Sequence, residues 1–238
     1  MKRDLRRAVA LLTIWPADFA SDDPAPVGRA MAWYPLVGLL LGGCLAGAWW
    51  LLASAGELLR GALIVTLWAV LTGGLHLDGW ADCCDGLLAT CPRERRLEIL
   101  RDPRLGAFGA TGLGLLLLIK VAAVASLSGP SALIMAPVAA RWVLVLAARR
   151  WPSARPGGMG DAFRAGLGRR ELALAGATMV VVAWLLGGQM LVITALLTAA
   201  LLGNFAASRL GGLTGDVYGA VGEASETAAL GVAALGGW

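Results

Sequence analysis

Several stretches of this chain are apolar for close to the length that crosses a lipid bilayer, and that pattern excludes most folds before any motif is read. They occupy residues 36–55, 61–75, 109–127, 132–148, 172–186 and 190–207, with a shorter one at 227–238. About 20 helical residues traverse roughly 30 Å of hydrocarbon. Inside lipid every backbone polar group needs an internal partner, so only helices and closed barrels cross. Runs of this length are helical, and the sequence predicts an all-α fold, a polytopic membrane helix bundle with about six to seven transmembrane helices. Composition agrees: 58% of residues are hydrophobic and 15% charged, with a mean hydropathy of +0.72, well outside the range of ordinary soluble domains.

The cations alternate with the apolar runs. Of 20 Lys and Arg residues, five precede residue 36, five lie at 93–104, six at 149–170, and one is Arg209, whereas the intervening connections hold only Arg60. The positive-inside rule then places the N-terminus and the segments 77–108, 149–171 and 209–226 in the cytoplasm. The net charge of +4 is mainly this topological signal, with a further part in holding anionic headgroups or phosphates. The bilayer is the expected partner and nucleic acid is not. Residues 1–20 lack the pattern of a cleavable signal peptide. Leu5, Val9, Leu12 and Trp15 partly oppose Lys2, Arg3, Arg6 and Arg7, which reads as an interfacial amphipathic helix.

The segment 73–86 reads GGLHLDGWADCCDG and sets Asp78, Asp82 and Asp85 at spacings of four and three. On a helix, at about 100° per residue, these carboxylates share a sector of roughly 60°. Like charges so close call for a cation among them. A hard divalent ion, Mg²⁺ above all, takes oxygen ligands and leaves positions for water and substrate phosphates, so the segment predicts a phosphate-handling site at the membrane surface. The run 61–75 is short and can continue through the aspartates as one helix leaving the bilayer. Cys44, Cys83, Cys84 and Cys91 contain no CxxC pair, and cytoplasmic placement of the last three reads as free thiols. Zinc held by His76, Cys83, Cys84 and Cys91 is disfavoured, because adjacent helical cysteines point about 100° apart.

Three further clusters bear on chemistry. Segment 93–109, RERRLEILRDPRLGAFG, reads as an amphipathic basic loop with Asp102 and Arg104 held by Pro103. Segment 149–170 is rich in Gly, Pro and Arg, and its backbone amides and Arg155 suit a phosphate. Segment 211–226, GGLTGDVYGAVGEASE, carries Asp216, Glu223 and Glu226 at the end of the sixth run, with Glu226 starting a last helix. Lys120 and Arg141 lie mid-span, where a charge faces the bundle interior or a wet cavity; pairing with acids and lining a substrate cleft are both open. The glycines at 38, 42, 43, 47, 109, 112 and 114 read as packing positions between membrane helices. His76, the single histidine, reads more readily as a supporting donor than as a general base.

GGLHLDGWADCCDG, then RRLEILRDPRLGAFG, GLTGDVYGA and a Glu-x-x-Glu, together with TIWP, YPLVG, Arg141-Trp142 and ARPGGMG, resemble the cobalamin synthase family, the adenosylcobinamide-GDP ribazoletransferases, over nearly the whole chain. The resemblance implies a Mg²⁺-requiring enzyme of the bacterial cytoplasmic (inner) membrane, its active site facing the cytoplasm. Such an enzyme joins α-ribazole or its 5′-phosphate to adenosylcobinamide-GDP and releases GMP. On that basis Asp78, Asp82 and Asp85 are the metal ligands. Asp85 is the first candidate for the base that accepts the hydroxyl proton, followed by Asp216 and Glu223. His76, Asp102, Arg104, Arg141 and Arg155 are assigned to substrate binding. Departures from the family pattern are Ile14 in place of an arginine, the Cys83-Cys84 pair in place of smaller or hydroxyl residues, and Gly222 in place of an asparagine.

The expected organisation is an N-terminal cytoplasmic or interfacial segment at 1–30 and a single transmembrane catalytic domain at 31–238, with a homo-oligomer compatible but unspecified. Two other classes share features. A CDP-alcohol phosphotransferase-like enzyme also sets Asp-Gly on a membrane helix end, but its Asp-Gly-x-x-Ala-Arg spacing is not met. A metal-ion transporter is disfavoured because the acids gather at one surface.

Overall fold

The computed structural model describes residues 2–16 and 26–238. Its elements in order are α1 (Lys2–Leu12), a 3₁₀ helix (Val27–Trp33), α2 (Tyr34–Leu51), α3 (Glu57–Thr72), α4 (Leu75–Leu88), α5 (Arg93–Ile99), α6 (Ala107–Ala125), α7 (Ser131–Arg150), α8 (Met159–Arg164), α9 (Arg169–Leu186), α10 (Gln189–Leu210) and α11 (Gly215–Leu235). Among the described residues the strand-like pairing is confined to a bridge between Ser153 and Leu213. Four stretches are long and apolar enough to cross a membrane: Val27–Leu51, Ala107–Ala125, Ser131–Arg150 and Gln189–Leu210; a fifth is counted where the bent pair α3 and α4 is taken together. The apolar helices α9 and α11, of 18 and 21 residues, complete an all-α membrane bundle.

Helix α7 runs through the centre, packed by α2, α9, α10 and α11. In lipid, apolar burial itself drives helix association weakly, so close approach of backbones matters. A Cβ on Gly38 would stand 2.5 Å from the Pro137 carbonyl oxygen, and one on Gly42 2.6 Å from Ile134 Cα. These two glycines are packing positions as expected, whereas Gly43, Gly47 and Gly114 face open space.

Two expectations are corrected. The run 61–75 does not continue through the aspartates: Gly73 and Gly74 both take left-handed conformations, with φ of 63° and 68°, and α4 turns 93° from α3. Two consecutive positive φ values end a right-handed helix, and glycine adopts them without a steric penalty. The segment 211–226 is not a loop capped by a late helix. α11 starts at Gly215, with the Thr214 hydroxyl accepting from the Val217 amide, so Glu223 and Glu226 lie in its middle, inside the bundle.

α1 packs on the 3₁₀ helix and α2 with Ala8 and Leu12 buried, and residues 30 and 31 lie within the apolar stretch Val27–Leu51. α2, α6, α9 and α11 begin at one end of the bundle, where α3, α7 and α10 finish. α4 lies at this end, touching the first residues of α6 and α11, and its carboxylates lie outside the four single-helix stretches long and apolar enough to cross a membrane.

Candidate active site

Helix α4 is fastened at three points. Arg96 donates to the Gly86 and Leu87 carbonyls at 3.0 and 2.7 Å, closing its C-terminal end where orphan carbonyls accumulate. Gly79 lies so close to α11 that a Cβ there would meet the Asp216 carbonyl oxygen at 2.6 Å. Asp85 accepts from the Gly106 amide at 2.8 Å and the Gly109 amide at 2.9 Å. Both amides open α6, so Asp85 caps that helix and faces the positive end of its dipole.

The helical face read from the sequence therefore divides. Asp78 is exposed and Asp82 half-buried, and Asp216 joins them from the first turn of α11. Burial first, then the charges of Asp78, Asp216 and Asp85, raises the Asp82 carboxyl from its ordinary 3.8 to about 6. Burial likewise raises Asp216, aided by Asp78 and opposed by the hydrogen bond from Thr214 and by Arg155. Facing the acids, the Arg155 guanidinium is lowered by burial and by the neighbouring charge of Arg101. One mouth of the bundle thus carries a group of carboxylates against two arginines.

Among the described residues no three His, Cys, Asp or Glu side chains converge tightly enough to cage a metal by themselves. Mg²⁺ requires no such cage: it commonly takes one or two carboxylates and fills its octahedron with waters and substrate phosphates. A half-buried, mutually repelling carboxylate group fits an ion of that kind. The cysteines are free thiols, in agreement with the sequence reading.

Beside Asp78 and Asp216 opens a cavity of about 200 Å³, lined also by His76, Tyr34, Phe163, Tyr218 and apolar side chains of α1, α4 and α7. The aromatic part was not foreseen. A signal existed, since the chain has two tyrosines and both fall in the segments YPLVG and GLTGDVYGA.

Other residues named from the sequence are placed elsewhere. Glu223 accepts from Lys120 at 2.7 Å and Glu226 from Lys120 at 2.8 Å, and Glu226 is also ion-paired with Arg141. These four side chains are at most 3% exposed, so Glu223 and Arg141 form an internal ion network and do not face the cleft. Of the readings open for Lys120 and Arg141, the structure takes pairing. Arg104 and Asp102 are paired with each other, at 2.8 and 2.6 Å, and the arginine side chain is 85% exposed. That hydrogen-bonded partner holds Asp102 down at about 2. Arg155 stays at the mouth and donates to the Leu97 carbonyl. Arg93 and Arg164, from the basic loops, bind main-chain carbonyls of Leu210 and Ala154, and of Ala148 and Trp151, respectively.

Fold and site together define a multi-pass α-helical membrane protein with an acidic cleft open at one end of its bundle. The chain belongs to the cobalamin-5-phosphate synthase family, whose model matches residues 4–234. Similar relatives are the adenosylcobinamide-GDP ribazoletransferases of Desulforamulus reducens, 40% identical over 95% of this chain and 94% of its own length, and of Brevibacillus brevis, 38% identical over 97% of each. That of Roseiflexus sp. is 38% identical over 94% of this chain and 86% of its own. No solved structure matches the chain.

Proposed function

We propose that this protein is an adenosylcobinamide-GDP ribazoletransferase, the membrane enzyme that completes the nucleotide loop of cobalamin. The observation that carries this reading is the end-to-end match to relatives of that name. A ribose hydroxyl of α-ribazole, or of its 5′-phosphate, attacks the phosphorus on the cobinamide side of the diphosphate. The new P–O bond joins nucleoside to corrinoid, the diphosphate bridge breaks, and GMP leaves.

Asp78 and Asp82 are the ligands offered to Mg²⁺. The ion, when bound, supplies charge neutralisation for a diphosphate undergoing in-line displacement. Asp216 is the base of choice among the carboxylates. It lines the cavity, and its raised pKa brings it nearer the pH of a working base. Asp85 holds the start of α6 in place, and Glu223 is engaged with Lys120. Arg155 and Arg101 carry positive charge toward the departing phosphate. The acidic mouth faces the cytoplasm across the inner membrane, the side to which the arginine runs assign it and where water-soluble nucleotides are found.

The test is GMP release from adenosylcobinamide-GDP plus α-ribazole by the detergent-purified protein. Turnover is expected with Mg²⁺, to cease under chelation, and to fall at least a hundredfold in Asp82→Asn, a loss comparable with removal of a positioned catalytic group. Full turnover under strong chelation removes the metal role. Absence of turnover with both substrates and Mg²⁺ removes the activity.

A further inference from the structure

The chemistry above uses the rim of the cavity and leaves its interior unassigned. That interior is aromatic. Phe163 meets Tyr34 edge-on at 6.3 Å between centroids and Tyr218 edge-on at 5.0 Å. The three rings come from α8, α2 and α11, so three separate elements converge on one wall, and aromatic rings hold such T-shaped arrangements favourably. Phe163 is kept there by Arg164, which ties α8 to the carbonyls of Ala148 and Trp151 at the end of α7.

Three residues that border this cavity each carry a buried polar atom with no hydrogen-bond partner among the described residues: Tyr34 Oη, Tyr218 Oη and His76 Nδ1. These residues are 1%, 2% and 6% exposed. Buried polar groups are normally satisfied, and leaving one unmade costs stability. Carried by residues that line one space together with apolar side chains such as Leu144 and Met159, these groups suit a ligand with apolar faces and a few edge heteroatoms. Among the described residues no cation lines the cavity, which disfavours a phosphate in its depth, and about 200 Å³ is too small for a corrin.

We propose that this cavity receives the planar heteroaromatic base of a nucleoside substrate, with the two tyrosine hydroxyls and His76 hydrogen-bonded to its ring edge. Seated there, the base directs its ribose toward Asp78 and Asp216 at the rim. The source of the base rests on the ribazoletransferase reading, which supplies two: the base of α-ribazole and the guanine of the GDP-linked substrate.

The experiment uses the full-length protein in detergent. Tyr34→Phe and Tyr218→Phe each remove one hydroxyl, and the KM for α-ribazole and for adenosylcobinamide-GDP is measured separately. A rise of about fivefold or more in one KM, the loss of one hydrogen bond, with kcat within about twofold, supports the proposal, and the substrate affected identifies the base. Calorimetric titration with free α-ribazole and with GMP gives a readout without turnover; the binding weakened in the variants names the same source. Thermal midpoints of both variants should equal or exceed wild type, since each removes an unpartnered hydroxyl, whereas a purely structural hydroxyl would lower them. Unchanged KM values and unchanged titrations overturn the pocket while leaving the enzyme reading intact. An inactive wild type that still binds α-ribazole or GMP through these tyrosines overturns the enzyme reading instead.

Discussion

Asp82 is where function opposes stability most directly. Its carboxyl, raised to about 6, binds a proton more tightly folded than unfolded. The contribution of such a group is fully present below the ordinary carboxylate value and is lost as pH rises through about 6. At pH 8 in chelator the ionised side chain therefore strains against burial and against Asp78, Asp216 and Asp85. Asp82→Asn is expected to raise the thermal midpoint there, with the difference closing below about pH 4, and to abolish turnover at the same time. Mg²⁺ should raise the midpoint of the wild type and leave the variant unmoved. A variant melting below wild type at pH 8 without divalent ions would show that these carboxylates do not repel one another. The i, i+4, i+7 spacing made this acidic face legible, because helix geometry alone puts the three residues together. That Asp85 serves the amides of Gly106 and Gly109 instead was not legible, since it depends on where α6 begins, 21 residues downstream.

At the level of elements, α6, α7 and α11 are joined by the buried network of Lys120, Arg141, Glu223 and Glu226, with Lys120 also 4.1 Å above the Trp68 ring of α3. Mid-span charges announced themselves in the sequence because lipid makes them costly. Their partners did not, because 211–226 is rich in glycine and acids and reads as a loop, whereas its small residues are what allow α11 to pack closely on α4. Removing one member of a buried ion pair leaves the other uncompensated, at about 3–5 kcal/mol. Glu226 serves both Lys120 and Arg141, so Glu226→Gln is expected to lose an amount of that order. Glu223→Gln should lose less, because Lys120 keeps Glu226. Unfolding in mixed SDS and detergent micelles measures both, and Lys120→Met combined with Glu223→Gln should fall short of the sum of the single losses. Strict additivity would show that Lys120 and Glu223 do not interact.

Over the whole molecule, one asymmetry organises both topology and chemistry. The end of the bundle that carries Asp78, Asp82 and Asp216 also carries α1, α5, α8 and the arginine-rich connections, while the opposite end is made of short turns at 52–56, 126–130 and 187–188. Basic segments resist translocation across the membrane, so the charge pattern that orients the chain also fixes which compartment reaches the acidic mouth. The apolar runs and alternating arginines therefore made the bundle and its polarity legible, but not the turn of α4 across the end, which hangs on the two left-handed glycines at 73 and 74. This argument fixes an outcome for labelling with a membrane-impermeant maleimide in a background free of native cysteines. Ser128 and Glu94 are both exposed and lie at opposite ends of the bundle. Ser128→Cys is expected to react in intact cells whose outer membrane has been permeabilised, and Glu94→Cys only after the inner membrane is opened. The reverse pattern would put the carboxylates on the outer face, away from cytoplasmic nucleotides, and would separate the charge pattern of this chain from its orientation.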